Sequence, residues 1–192
     1  MWNYSGCVEP LRAAIEYGAC LIDTAGAYGT EEIVGQAIEG QRDRVFLASK
    51  VLPRNFRQRD LIAAAARSLR RLGTDHIDLY QLHWPNLTIP IEEPMRGMEK
   101  LVDEGKVRFI GVSKFSVREL MNAQAVLAKL RIVANQVRYS LVERTIEGVL
   151  LQCCQKNGIT VIAYSLTAMG LGNNRAVDSE GALHKVAETC FK

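Results

Sequence analysis

Six short apolar runs, at Cys20 to Asp23, Val45 to Ser49, Ile77 to Leu82, Val107 to Val112, Ile132 to Asn135 and Ile159 to Ala163, alternate with segments of helical periodicity. Each run has strand length and is rich in Val, Ile, Leu, Phe or Tyr. Between them, apolar or small residues recur three and four apart, as in Leu61, Ala64, Ala65, Ser68, Leu69 and Leu72, or in Met95, Met98, Leu101 and Val102. Gly18, Gly40, Gly73, Gly105 and Gly158 each stop a periodic segment shortly before the next run. Strands separated by whole helices cannot pair through tight hairpins. The pattern therefore predicts an α/β fold with a parallel sheet and right-handed crossovers.

Two architectures share this alternation, the doubly wound open sheet and the (β/α)8 TIM barrel. Three features favour the barrel. No G-x-G-x-x-G follows the first run. The residues that close the runs, Asp23, Lys50, His83, Lys114, Gln136 and Tyr164, are spaced 22 to 33 apart, close to the roughly 31 residues per unit of a barrel of about 250. All six of these closing residues are polar or functional, and in a barrel such strand ends converge on one mouth, where active sites sit. The expected architecture is an incomplete (β/α)8 barrel with six of eight units, as a single domain over residues 1–192.

Composition narrows the function classes. The 24 Lys and Arg against 21 Asp and Glu leave a net charge of +3. The basic residues are scattered apart from Arg67, Arg70 and Arg71, which read as a solvated helix face and not as a nucleic-acid patch. The five cysteines, Cys7, Cys20, Cys153, Cys154 and Cys190, form no C-x-x-C pair; they read as reduced thiols of a cytoplasmic protein, with Cys153 and Cys154 packing a helix. No apolar stretch approaches the roughly 20 residues that cross a bilayer, so no membrane role is expected. His76, His83 and His184 lack metal-ligand spacing, and no zinc site is expected.

An acid, a phenol, an amine and an imidazole at neighbouring strand ends, Asp23, Tyr28, Lys50 and His83, point to proton-transfer chemistry. Taken singly, each has an ordinary reading: Asp23 as a loop or capping acid, Tyr28 as packing before the next helix, Lys50 as a solvated lysine, His83 as a hydrogen-bonded rim residue. Their order along the chain decides between the two. The chain resembles the aldo-keto reductase family through Leu21-Ile22-Asp23-Thr24-Ala25-x-x-Tyr28-Gly29, Ser49-Lys50, Asp78-Leu79-Tyr80-Gln81-Leu82-His83-Trp84-Pro85, Gly105-Lys106-Val107-Arg108-x-Ile110-Gly111-Val112-Ser113, Asn135-Gln136-Val137 and Ala163-Tyr164-Ser165. Six motifs in family order, from about Val8 to Gly172, make the resemblance specific.

The resemblance implies reversible hydride transfer between NADPH (NADP+) and the carbonyl group of a small aldehyde or ketone. It assigns Tyr28 as general acid. Lys50 is the cation that lowers the phenol from its ordinary pKa of about 10, Asp23 is the partner of Lys50, and His83 is the group that orients the carbonyl oxygen. It assigns Ser113, Lys114 and Gln136 to the nicotinamide carboxamide, Tyr164 to stacking on the nicotinamide ring, and Ser165 to the phosphate-side loop. Two positions depart from the family. Lys114 stands where Asn is usual and can donate a hydrogen bond but not accept one; Ser165-Leu166-Thr167 lacks the Pro that commonly follows the Ser.

The segment from Met1 to Gly6 resembles the loop after the family's first strand, and Leu183 to Lys192 resembles part of the seventh helix. The first and eighth strands, and the segment that grips the adenosine phosphate, are therefore expected to be missing. The expected consequences are an open gap in the barrel, weakened cofactor binding and closure by a second copy in a homo-oligomer. The competing expectation is a noncatalytic remnant or interaction module.

Overall fold

Each apolar run becomes a strand and each periodic segment a helix in the computed structural model, which describes residues 7–168. The order is α1 (Val8–Glu16), β1 (Leu21–Asp23), α2 (Glu31–Ile38), β2 (Phe46–Val51), α3 (Gln58–Leu72), β3 (Ile77–Leu82), α4 (Glu92–Asp103), β4 (Val107–Ser113), α5 (Val117–Ala125), β5 (Ile132–Arg138), α6 (Leu150–Asn157) and β6 (Thr160–Tyr164). The expected strands are all present, and several run further than expected. Strand β2 extends through Val51, so Lys50 lies inside the strand, opposite Gln81 of β3. Residues 1–6, 183–192, His184 and Cys190, on which expectations were placed above, lie outside the described residues.

All neighbouring strands are parallel, and their spatial order is β1-β2-β3-β4-β5-β6. A doubly wound sheet reverses its strand order at a switch point, whereas a sheet wound in strict sequence is the barrel's arrangement. The described residues thus form six units of an incomplete (β/α)8 barrel. Among them, no helix is long and apolar enough to cross a membrane.

Period-two alternation along each strand divides the apolar residues between two layers. The larger lies between sheet and helices and holds Leu47, Tyr80, Leu82, Ile110 and Val112 against Leu61, Leu72, Met95, Met98 and Leu101. The other face carries a small cluster of Ala48, Leu79 and Ala134, with Phe46 and Ile162 packed against it. The buried residues of α3 are Leu61, Ala64, Ala65, Ser68, Leu69 and Leu72, the set that the periodicity marks. Of the cysteine pair on α6, Cys154 is buried and Cys153 is half-buried. Helices α2 and α3 approach closely at Gly35, where a Cβ would stand 2.8 Å from the carbonyl oxygens of Arg71 and Leu72. Only glycine fits that contact.

A buried acid ties three strands together. Asp78 interrupts the apolar sequence of β3, and its carboxylate accepts hydrogen bonds from the Leu47 amide of β2 at 2.9 Å, from Arg42 at 2.7 Å and from Arg108 of β4 at 2.8 Å. Burial alone would raise this carboxyl, but the amide and the two guanidiniums outweigh it and hold the group below its ordinary value.

Candidate active site

Asp23 ends β1, and the chain then makes a short loop before α2. The Thr24 and Thr30 hydroxyls close this loop at 2.9 Å, while Gly26 N–H donates to the Lys50 carbonyl at 3.2 Å and Tyr28 N–H to the Ala25 carbonyl at 3.0 Å. Tyr28 is thereby held over the end of β2. A second anchor lies just beyond it. Glu31, 1% exposed at the start of α2, accepts from Ser49 Oγ at 2.7 Å and pairs with the Arg71 guanidinium of α3.

The four expected residues are brought together. Lys50 Nζ, fully buried, donates to Asp23 Oδ2 at 2.5 Å and to the Thr24 carbonyl at 2.9 Å. The same ammonium lies 5.0 Å from the centroid of the Tyr28 ring, and Tyr28 Oη is 3.4 Å from His83 Nε2. The rings of Tyr28 and His83 meet edge to face, with centroids 5.5 Å apart. The result is a phenol, an imidazole and an ion pair at one end of three adjacent strands.

Burial shifts the ionisation of Lys50, Tyr28 and His83. It lowers the Lys50 ammonium, and Asp23 pushes it back up. It raises the Tyr28 phenol above 10, with the Asp23 and Tyr164 charges adding to the rise. This differs from the sequence expectation that Lys50 lowers the phenol: burial is the largest cause of the rise, and the Asp23 charge adds to it. Tyr28 is accordingly held neutral.

His83 is only 5% exposed, and burial first, then the Lys50 and Lys114 charges, bring it down to about 4. The imidazole is therefore neutral at pH 7. Because the folded value lies below the ordinary 6.5, the unfolded chain binds the proton first as pH falls. Burying neutral His83 adds stability above pH 6.5, which is lost between pH 6.5 and about 4. A nuclear magnetic resonance titration of the His83 ring should place its inflection near 4; an inflection near 6.5 would show that the ring is not desolvated in this way.

The expected cofactor residues line the strand ends beyond His83. Ser113 pairs with Gln136 across β4 and β5, and its buried hydroxyl has no partner among the described residues. Gln136 donates from Nε2 to Asp23 Oδ1 at 3.1 Å. Lys114 adopts a positive φ of 61°, and its ammonium stands 5.3 Å from the Trp84 ring centroid and 5.7 Å from that of Tyr164. Ser165 follows β6 with φ 57°, and its carbonyl accepts from the Ala168 amide.

Further contributors appear that carry no assignment in the sequence. Gln81, wholly buried, approaches Asp23 Oδ1 with Nε2 at 3.5 Å. Gly111 makes room for it, since a Cβ there would lie 3.1 Å from Gln81 Cγ. Trp84 packs its ring 4.6 Å from that of His83. Gln81 carried a signal, being two residues beyond inward-facing Leu79 and polar in an apolar run.

Comparison with known proteins agrees with this arrangement. The model of the aldo/keto reductase family matches residues 3–189. Aldo-keto reductase YhdN of Bacillus subtilis is 43% identical over 177 residues, covering 85% of this chain and 53% of that protein. Methylglyoxal reductase YeaE of Escherichia coli is 41% identical over 189 residues, covering 94% and 66%. The chain thus spans between about half and two thirds of these curated relatives. The thermostable aldo-keto reductase Tm1743, solved with the inhibitor epalrestat, superposes with a TM-score of 0.86 at 40% identity, covering 97% of this chain and 69% of that one. An aldo/keto reductase of Klebsiella pneumoniae, solved with NADP and acetate, does so at 0.79 and 43%, covering 87% and 59%. With strand order, motif order and family match in agreement over nearly its whole length, the chain belongs to the aldo/keto reductase family.

Proposed function

We propose that this protein reduces the carbonyl group of small aldehydes or ketones with NADPH, Tyr28 serving as the acid. The observation that carries the reading is the Tyr28 hydroxyl 3.4 Å from neutral His83, beside a buried Lys50–Asp23 ion pair. Kinship supports the cofactor: solved relatives include complexes with NADP and NADPH. The bound nicotinamide would supply the hydride. Tyr28 would give its hydroxyl proton to the carbonyl oxygen as the C=O electron pair moves onto that oxygen and a C–H bond forms at carbon. Lys50 would stabilise the phenolate left behind, and solvent would return the proton. His83, being neutral, can exchange a hydrogen bond with the substrate oxygen without adding a charge.

The residues present fit a nicotinamide carboxamide. Ser113 Oγ is a buried hydroxyl without a partner among the described residues, and Gln136, its Nε2 bonded to Asp23, keeps Oε1 as an acceptor. Lys114 adds a donor. The test is aldehyde-dependent NADPH oxidation by the pure protein, with a nitrobenzaldehyde and with methylglyoxal, the second suggested by the name of the Escherichia coli relative. Turnover with either, together with NADPH fluorescence quenching that weakens several-fold in Ser113→Ala, is the expected result. Absence of both turnover and quenching would overturn the proposal.

A further inference from the structure

One charge at the mouth of the site takes no part in the proposed proton transfer. Lys114 follows β4 with φ 61°, a left-handed backbone that Asn enters readily and a long side chain such as Lys does not. Its amide donates to the Gln136 carbonyl at 2.8 Å, so the residue is pinned to the strand end beside Ser113. Lys114 is exposed to solvent, but two rings fix where its charge stands. The ammonium lies 5.3 Å from the Trp84 ring centroid and 5.7 Å from that of Tyr164, within the range in which each ring attracts a cation.

The rest of the cluster is neutral as a whole. Lys50 and Asp23 form an ion pair, and Tyr28 and His83 are uncharged at pH 7. Lys114 has no acidic partner within salt-bridge distance among the described residues, so its ammonium leaves this group of side chains with a net positive charge. Solvent weakens that charge without abolishing it. Burial comes first in lowering His83 and Lys50, and the Lys114 charge lowers both further.

A nicotinamide bound as proposed above, with its carboxamide at Ser113 and Gln136 and its ring against Tyr164, lies beside this ammonium. The ring is neutral in NADPH and carries a full positive charge in NADP+, whereas the adenosine and phosphate groups of the two are the same. Two like charges about 5 Å apart oppose one another by about four-fold in affinity even where screening is as strong as in bulk water. Water displaced from between them makes the penalty larger. Resting on that nicotinamide reading, we propose that Lys114 is a specificity-determining residue for the oxidation state of the cofactor, its ammonium repelling the cationic ring of NADP+ and tolerating the neutral ring of NADPH. A hydrogen bond from Lys114 to the carboxamide serves both forms alike and cancels between them. In a mixed pool the protein is then loaded with the form that donates hydride, and the spent form leaves readily.

The experiment is equilibrium titration of the full chain with NADPH and with NADP+, followed by quenching of protein fluorescence, which requires no turnover. The quantity read is the ratio of the two dissociation constants, in which the shared adenosine and phosphates cancel. Lys114→Asn suits the left-handed backbone, and Lys114→Met keeps the long side chain and its backbone strain but not the charge. Each should tighten NADP+ relative to NADPH by about four-fold or more. Lys114→Arg should hold the parent ratio. A ratio unchanged in both Lys114→Asn and Lys114→Met overturns the proposal, and equal weakening of both cofactor forms overturns it in favour of a grip on the phosphates. A shift in Lys114→Asn alone overturns it in favour of backbone relief. A parent chain that binds neither form overturns the nicotinamide reading itself, and this proposal with it.

Discussion

Replacing Tyr28 by Phe is expected to lower carbonyl turnover by about 10²–10⁴-fold, the range for loss of a positioned general acid. The substitution keeps the ring and its edge-to-face contact with His83 and removes one hydroxyl. That hydroxyl makes only a long hydrogen bond, 3.4 Å to His83 Nε2, on a side chain that is 47% exposed. Folding stability should therefore change little. Binding of NADPH, measured by fluorescence quenching, should also be unchanged, because the groups expected to hold the carboxamide, Ser113 and Gln136, are untouched. The loss should fall on kcat. Turnover equal to that of the parent protein would remove Tyr28 from the acid role and leave solvent or His83 as the proton source.

Asp78→Ala is expected to be the most destabilising single change among those considered, although it lies away from the Tyr28 site. It withdraws the acceptor of the Leu47 amide and the partner of Arg42, both largely shielded from water. The loss should be about 3 kcal/mol, the low end for breaking a buried pair, because the Arg108 side chain is 58% exposed and recovers hydration. For a domain of this size that corresponds to a fall of about 6–12 °C in unfolding temperature. The pH dependence follows from the lowered carboxyl. Its contribution is complete above the unfolded value near 3.8 and is lost as pH falls through the lower folded value. Asp78→Asn should thus flatten the acid limb of stability below about pH 4, whereas an acid limb identical to the parent's would show that Asp78 is not the group titrating.

Asp78 also marks where sequence reasoning stops. It lies within the apolar run Ile77-Asp78-Leu79-Tyr80-Gln81-Leu82, and nothing in that run names the partners 30, 31 and 36 residues away that make its burial stable. Lys50 is a different case: taken alone, a lysine near a strand end reads as solvated, and its pairing with Asp23 was legible only through the motif order of the family. The strands themselves were legible because parallel strands buried on both faces must be apolar throughout. The four clustered residues were legible because the family's motifs fall in order. What no local pattern carries is the extent of burial, and so the rise of the Tyr28 phenol, caused first by desolvation and then by the Asp23 charge, emerged only from the folded arrangement. The tether from Gln136 to Asp23, across 113 residues, was equally out of reach.

The strictly consecutive winding of the sheet bears on how the protein comes to be folded at all. Each described strand after β1 pairs with the one made just before it, so these units can consolidate one after another as the chain is made. The ion pair bridges 27 residues and the phenol–imidazole contact 55, so both can form once β3 has docked. Gln136 joins Asp23 only two strands later. In the order of synthesis, the cluster of Tyr28, His83, Lys50 and Asp23 can assemble early and receives the Gln136 amide late.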